Sequence, residues 1–187
     1  KSQLLIFIVP LLYIVFAIGI GSGSIAGEEE NGTLDFLLAH PLTRESVVVQ
    51  KFLAMIIAAI SIGIFGWVSL IIGAAIVDME IGYSRLAAAT FGGVLLGITY
   101  GGIAFFLGAA LGKRSFSIGM AGALGIGGYL LNSLGPMVGW LEPFRKISPF
   151  YYYSNSDPLI NGLDWSHMVV LLVVILSNER MAAIMLI

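Results

Sequence analysis

The sequence predicts an all-α protein, a polytopic bundle of transmembrane helices with about five spans. Three observations lead there. Of 187 residues, 58% are apolar and only 11% charged, against about 25% charged in a soluble domain. Four runs carry no charge at all: 2–27, 52–77, 86–112 and 115–141. A hydrocarbon core about 30 Å thick needs about 20 apolar residues at 1.5 Å rise, and each run exceeds that. The runs hold 106 residues, so all twenty charges crowd into the other 81. These numbers exclude a soluble protein and a disordered chain. A net charge of −2 excludes an electrostatic nucleic-acid binder, so no nucleic acid is expected as a partner. The absence of cysteine excludes disulfides, thiolate nucleophiles and Cys-ligated metals.

The first span covers about 4–27. The chain opens on Lys1 with a span almost at once, which suggests a fragment, a processed product or a chain without its start. Lys1, the apolar stretch and Ser24-Ile25-Ala26 look superficially like a signal peptide. Signal h-regions are only about 7–15 residues, however, and more spans follow. The second span covers about 52–77, the third about 86–111 and the fourth about 115–141. The third and fourth are joined only by Lys113-Arg114, which predicts a tight antiparallel hairpin. The fifth, about 166–187, is apolar to Leu176, meets Asn178-Glu179-Arg180 and resumes as apolar. Either those charges lie inside the last span, which is costly, or the tail is atypical.

Glycine recurs every four residues at Gly19, Gly23 and Gly27 and at Gly93, Gly97 and Gly101. A spacing of three links Gly119, Gly122, Gly125 and Gly128. Small-residue ridges let helix backbones approach closely in lipid, so Gly93, Gly97 and Gly101 are candidate packing residues. Leu95, off that ridge, is expected to matter less. The hydroxyl and amide groups of the spans, Ser61, Ser69, Thr90, Thr99, Tyr100, Ser117, Tyr129, Asn132 and Ser133 among them, are expected to bond between helices.

Two long connections, 28–51 and 142–165, lie on opposite sides of the membrane, because three spans separate them. Positive charges orient the chain only weakly. The 142–165 connection is rich in Trp, Phe and Tyr and holds Pro143, Pro149 and Pro158. That suits short broken helices in the outer interface. A plain external loop is the alternative.

Catalytic patterns fail. Gly108 to Arg114 falls short of a phosphate loop: three residues separate its glycines and Arg follows its Lys, where four and Ser or Thr are needed. His40 and His167 fall on opposite faces, so no two-His zinc helix forms. Ser84 has no argued His partner. The first four spans hold no charge for a proton relay. No catalytic residue, no metal and no enzymatic activity is expected.

The 28–51 connection is specific. Asn31-Gly32 breaks the first helix. Thr33 can cap a new short helix with Asp35 in its first turn, made apolar by Leu34, Phe36, Leu37 and Leu38. Pro41 ends it. Thr43 then caps a further helix, with Glu45 in its first turn, that runs into the second span. A short apolar helix outside the bilayer needs a cover, either lipid or the groove of a partner.

Glu28-Glu29-Glu30, Gly32-Thr33-Leu34, Leu37-Leu38, Pro41-Leu42-Thr43-Arg44 and Lys51 resemble the signature of type-2 ATP-binding-cassette permeases. Ser148-Pro149-Phe150 and the tyrosines before the last span are also similar to that family. The family usually has six spans, of which this chain matches the second onward; its tail from Ser177 departs from the pattern. The resemblance implies a multi-pass permease of the cell membrane that moves a substrate with ATP hydrolysed elsewhere. ATP and magnesium would belong to a separate ATPase subunit, with no cofactor on this chain. Two permeases, as a homo- or heterodimer, would join two ATPases. The connection 28–51 would be cytoplasmic. Glu30, Gly32, Thr33, Leu34, Asp35, Phe36, Leu37, Leu38, Pro41 and Arg44 would form the coupling helix and its flanks against the ATPase. The 142–165 segment would be external. A membrane scaffold or assembly factor without a transport cycle is the alternative.

Overall fold

The computed structural model describes residues 2–33, 44–76, 82–154 and 164–185. They form seven α-helices: α1 (Ser2–Ser24), α2 (Ala26–Glu30), α3 (Arg44–Ile76), α4 (Tyr83–Leu111), α5 (Arg114–Leu134), α6 (Pro149–Ser154) and α7 (Trp165–Met185). A 3-10 turn spans Glu142–Ile147. No strand occurs among the described residues.

Three of these helices, α3, α4 and α7, are long and apolar enough to cross a membrane. The 33 residues of α3 extend about 50 Å at 1.5 Å rise, well beyond a hydrocarbon core of about 30 Å. Its start at Arg44 carries Glu45 in the first turn, where the helix dipole favours an anion. α4 ends on Gly112, which adopts φ 62° and donates its N–H to Gly108 O at 3.0 Å. Left-handed geometry of this kind is what a glycine at a helix end supplies. α5 corrects the expected fourth span: it stops at Leu134 rather than running to Leu141. Gly135-Pro136 follows; Gly135 keeps helical angles, but Pro136 has no N–H with which to continue the hydrogen-bond ladder. α7 runs unbroken through Asn178, Glu179 and Arg180.

Side-chain contacts fix the directions. Gly93 faces Pro10 and Tyr13, Gly97 faces Tyr13, and Gly101 faces Ala17, so α1 and α4 run parallel. Phe52 meets Phe105 edge-on at 5.3 Å and Gly63 meets Val94, so α3 runs antiparallel to α4. Gly108 lies beside Ser117, and Gly125 and Gly128 beside Tyr100, which makes α4–α5 the expected antiparallel hairpin. Gly92 faces Met168 and Gly102 faces Asn178, so α7 is parallel to α4. α4 is therefore the central helix, with α1, α3, α5 and α7 around it. One core joins Tyr13, Phe52, Met55, Leu95, Phe105 and Leu171; a second joins Ile18, Leu96, Tyr100, Phe150 and Tyr153.

Candidate functional site

The two long connections leave from opposite ends of the bundle. α2 packs beside Gly112, whereas Tyr153 of α6 packs on Gly92. The twenty residue steps from Gly92 to Gly112 span about 30 Å along α4, the thickness of a hydrocarbon core.

At the α2 end, the break foreseen at Asn31-Gly32 has a definite form. Gly32 adopts φ 67°. Its N–H donates to Glu29 O at 3.0 Å, and the Thr33 N–H donates to Glu28 O at 2.9 Å. This pair of bonds is the Schellman closure, which satisfies carbonyls left open at a helix end. The Thr33 hydroxyl also donates to Glu28 O (3.2 Å) and the Asn31 amide to Gly27 O (2.6 Å). Thr33 thus helps to close the helix behind it. The helix it was expected to open lies outside the described residues, as do Leu34, Asp35, Phe36, Leu37, Leu38 and Pro41. Arg44 is the first residue of α3.

The acidic residues of α2 turn back onto the bundle. Glu28 forms an ion pair with Lys51 of α3. Glu30 Oε1 accepts the Arg114 N–H at 2.9 Å. The Glu29 carboxylate fills the space that a side chain at Gly112 would take, 2.6 Å from an ideal Cβ there. Arg114 lies against Gly23, its Nε 3.4 Å from an ideal Cβ. Lys51 entered the sequence reading only through the family resemblance; a partner 23 residues earlier has no local signal.

Of the glycine ridges, Gly93, Gly97 and Gly101 all face α1. The ridge Gly19-Gly23-Gly27 makes no seam within this chain: nothing lies within 4 Å of a Cβ added at Gly19 or Gly27. Gly21 makes the close approach instead, against Gly101. α1 presents the face that carries Pro10, Tyr13, Ala17 and Gly21, and Gly19 lies off it. Gly119 and Gly122 likewise meet nothing within 4 Å. Leu95 is not peripheral, because it is only 6% exposed inside the main core.

The expected bonding between helices is met by Asn132, which reaches Ser154 of α6, but four hydroxyls depart from it. Ser61, Ser69, Thr99 and Ser117 donate to Ile57, Phe65, Leu95 and Lys113 carbonyls of their own helices, at 2.8–2.9 Å. In an apolar surrounding the i−4 carbonyl is the nearest acceptor and needs no partner helix.

At the α6 end, the described residues of the 142–165 segment form the 3-10 turn, with Pro143 at its second position, and α6, which opens on Pro149; in a first turn the missing N–H costs nothing. Ser148 is buried; its hydroxyl donates to Gly128 O (2.8 Å) and accepts the Phe150 N–H (3.2 Å). Asn132 donates to Ser154 Oγ at 2.9 Å and accepts from Arg145 at 3.4 Å. Arg145 also lies over the Tyr151 ring at 5.4 Å. A cavity of about 210 Å³ opens below, between Leu11, Tyr129, Asn132 and Phe150. Asp164 caps α7: its Oδ1 accepts the Ser166 N–H (3.0 Å) and hydroxyl (2.5 Å). Those bonds hold its carboxyl below the ordinary carboxylate range. His167 stands 3.7 Å from Asp164 and edge-on to Tyr152; His40 lies outside the described residues. Among the described residues no three His, Asp or Glu gather as metal ligands.

A bundle of apolar helices around a glycine-faced centre, with charge gathered mainly towards its ends, defines an integral membrane protein of the helical class. The chain belongs to the ABC-2 transporter family: the family described as ABC-2 family transporter protein matches residues 1–178. It is 32% identical over 124 residues to the "Probable ABC transporter permease protein NosY" of Pseudomonas aeruginosa. It is 32% identical over 125 residues to the protein of that name from Stutzerimonas stutzeri. Each match covers 64% of this chain and 44% of the relative, so the chain spans less than half the length of these relatives. No solved structure matches it.

Proposed function

We propose that this chain is the five-pass core of a cell-membrane permease driven by a separate ATP-binding-cassette ATPase. A second permease copy would complete the transporter. The ATPase docks on the 33–44 connection, on the cytoplasmic side, and the 142–165 segment is external. ATP and magnesium stay on the ATPase. The observation that carries the reading is the stem of that connection. Its first residue is bonded into α2, and α2 is bonded to α3 and the α4–α5 turn. A load applied to the connection therefore reaches helix ends rather than a free loop.

The test is a pull-down of the ATPase subunit in detergent, with folding followed by size-exclusion profile. Leu37→Asp or Leu38→Asp should leave the profile intact and lose the ATPase, because an unpaired charge in a docking groove is expensive. Normal recovery of the ATPase would reject docking at this segment.

A further inference from the structure

The Glu28–Lys51 ion pair joins the two stems of the 33–44 connection. Glu28 lies on α2, before the connection, and Lys51 on α3, after it. Thr33, where the connection begins, gives both its N–H and its hydroxyl to the Glu28 carbonyl. One residue therefore holds the start of the connection through its main chain and the helix beyond it through its side chain. A second strut leaves the same turn, where Glu30 accepts the first N–H of α5.

α2 could not supply this rigidity alone. Five residues are far below the length at which an isolated helix is stable, and three adjacent carboxylates repel one another. Its anchors are external: Ile25 and Ala26 are 1% and 0% exposed in the bundle, its end is closed by Gly32, and the Glu28 and Glu30 carboxylates are engaged by other elements.

We propose that Glu28 and Lys51 are positioning residues that brace the connection, so that its displacement moves α3 and the α4–α5 hairpin as one body. This rests on the ATPase docking proposed above. A merely stabilising pair would alter folding or partner binding. A brace would alter how far a signal travels while both stay intact.

The chain has no cysteine, so one thiol can report on the far end. Met137, 80% exposed beyond the end of α5, is changed to Cys and labelled with a membrane-impermeant maleimide. The permease–ATPase complex is compared nucleotide-free and trapped with ATP and vanadate. The parent should show a trapping-dependent change in labelling rate. Glu28→Gln and Lys51→Gln should keep their size-exclusion profile and their ATPase. Their response should shrink about five-fold or more, the lower end of ordinary coupling between sites. Glu28→Lys combined with Lys51→Glu should restore it. A full response in the single variants overturns the brace and leaves ATPase docking standing. Loss of the ATPase from a well-folded single variant also overturns it, since the pair would then serve the contact. Should the single variants not fold, the swapped pair decides: folded and responsive supports the brace, folded and unresponsive overturns it. A parent chain that never retains the ATPase removes both proposals together.

Discussion

Replacing Gly97 by alanine puts the α1–α4 seam under the most direct load. A Cβ there would lie 2.9 Å from Tyr13 O, 3.0 Å from Tyr13 C and 3.1 Å from Tyr13 Cβ. Two of those atoms are main chain and the third is the stem of a side chain, so no rotamer change relieves the overlap. Ordinary contact begins about half an ångström further out, and α1 must retreat by that amount. Retreat opens the neighbouring contacts, and a gap of 0.5–1 Å forfeits about a quarter to a half of each. Inserting a methyl group into a packed site costs about 1–3 kcal/mol. Gly→Ala also favours a helix by about 0.5–1 kcal/mol, which confuses a single measurement. Gly119→Ala on α5 removes that confusion, because nothing lies within 4 Å of its added Cβ and the helix gain is shared. The difference between the two variants is then the overlap alone, about 1–3 kcal/mol. For a chain of this size that separates their melting temperatures by roughly 2–12 °C. Thermal unfolding in detergent, followed by circular dichroism and by size-exclusion after heating, gives both values. A Gly97→Ala protein that melts with or above Gly119→Ala would refute the backbone-to-backbone seam.

Three further outcomes follow from the ends of the bundle. Asn31-Gly32-Thr33 is an N-glycosylation acceptor; in a glycosylating membrane Asn31 should stay unmodified while a sequon placed in 149–161 is used, and modification at Asn31 would invert the orientation. Asp35→Ala or Arg44→Ala should retain some ATPase binding yet lower permease-dependent hydrolysis, and unchanged hydrolysis would remove both from the docking surface. Asp164 has its carboxyl held low by Ser166, so the folded state gains from its ionised form above the unfolded carboxylate range and loses that gain as acid protonates it; Asp164→Ala should lower the melting temperature at neutral pH, and its difference from the parent should shrink below about pH 4. A constant difference from pH 7 to pH 3 would show that the cap bond does not depend on charge.

The sequence read the helices well because charge marks where a chain leaves hydrocarbon. Charge-free runs located the cores of α1, α3, α4 and α5 and missed mainly their ends. α5 was drawn seven residues too long because 135–141 is uncharged but carries Pro136: polarity sets what lipid tolerates, whereas a missing backbone N–H sets where a helix stops. The site was legible in part. The break at Gly32 followed from residue type, and the Schellman bonds are its local consequence. The Glu28–Lys51 and Glu30–Arg114 links join positions 23 and 84 residues apart. Nothing in a linear pattern selects one acid of Glu28-Glu29-Glu30 for each partner; the rotation of α2 does.

Burial inverts the usual reading of hydrophobicity here. α3 has the most apolar window of the spanning helices, yet only 17% of it is buried; the window of α4 is less apolar and 72% buried. Water sorts side chains by polarity, so in a soluble protein the greasiest helix lies inside. Lipid tails are as apolar as leucine, so that driving force between helices disappears. What remains is contact density, which rises when two backbones can approach. α4 achieves this with six glycines where α3 has three. Four of the six, Gly93, Gly97, Gly101 and Gly108, meet α1, and Gly108 also meets Ser117 of α5. The other two are taken by different neighbours: Gly92 by Tyr153 and Met168, and Gly102 by Asn178 and Phe52. Glycine on every face of one helix, rather than a single ridge, marks a helix with neighbours all round. Gly92 and Gly102 break the four-residue ridge and so mark α4 as central, because a helix that meets one partner has no packing need for small residues on its other sides.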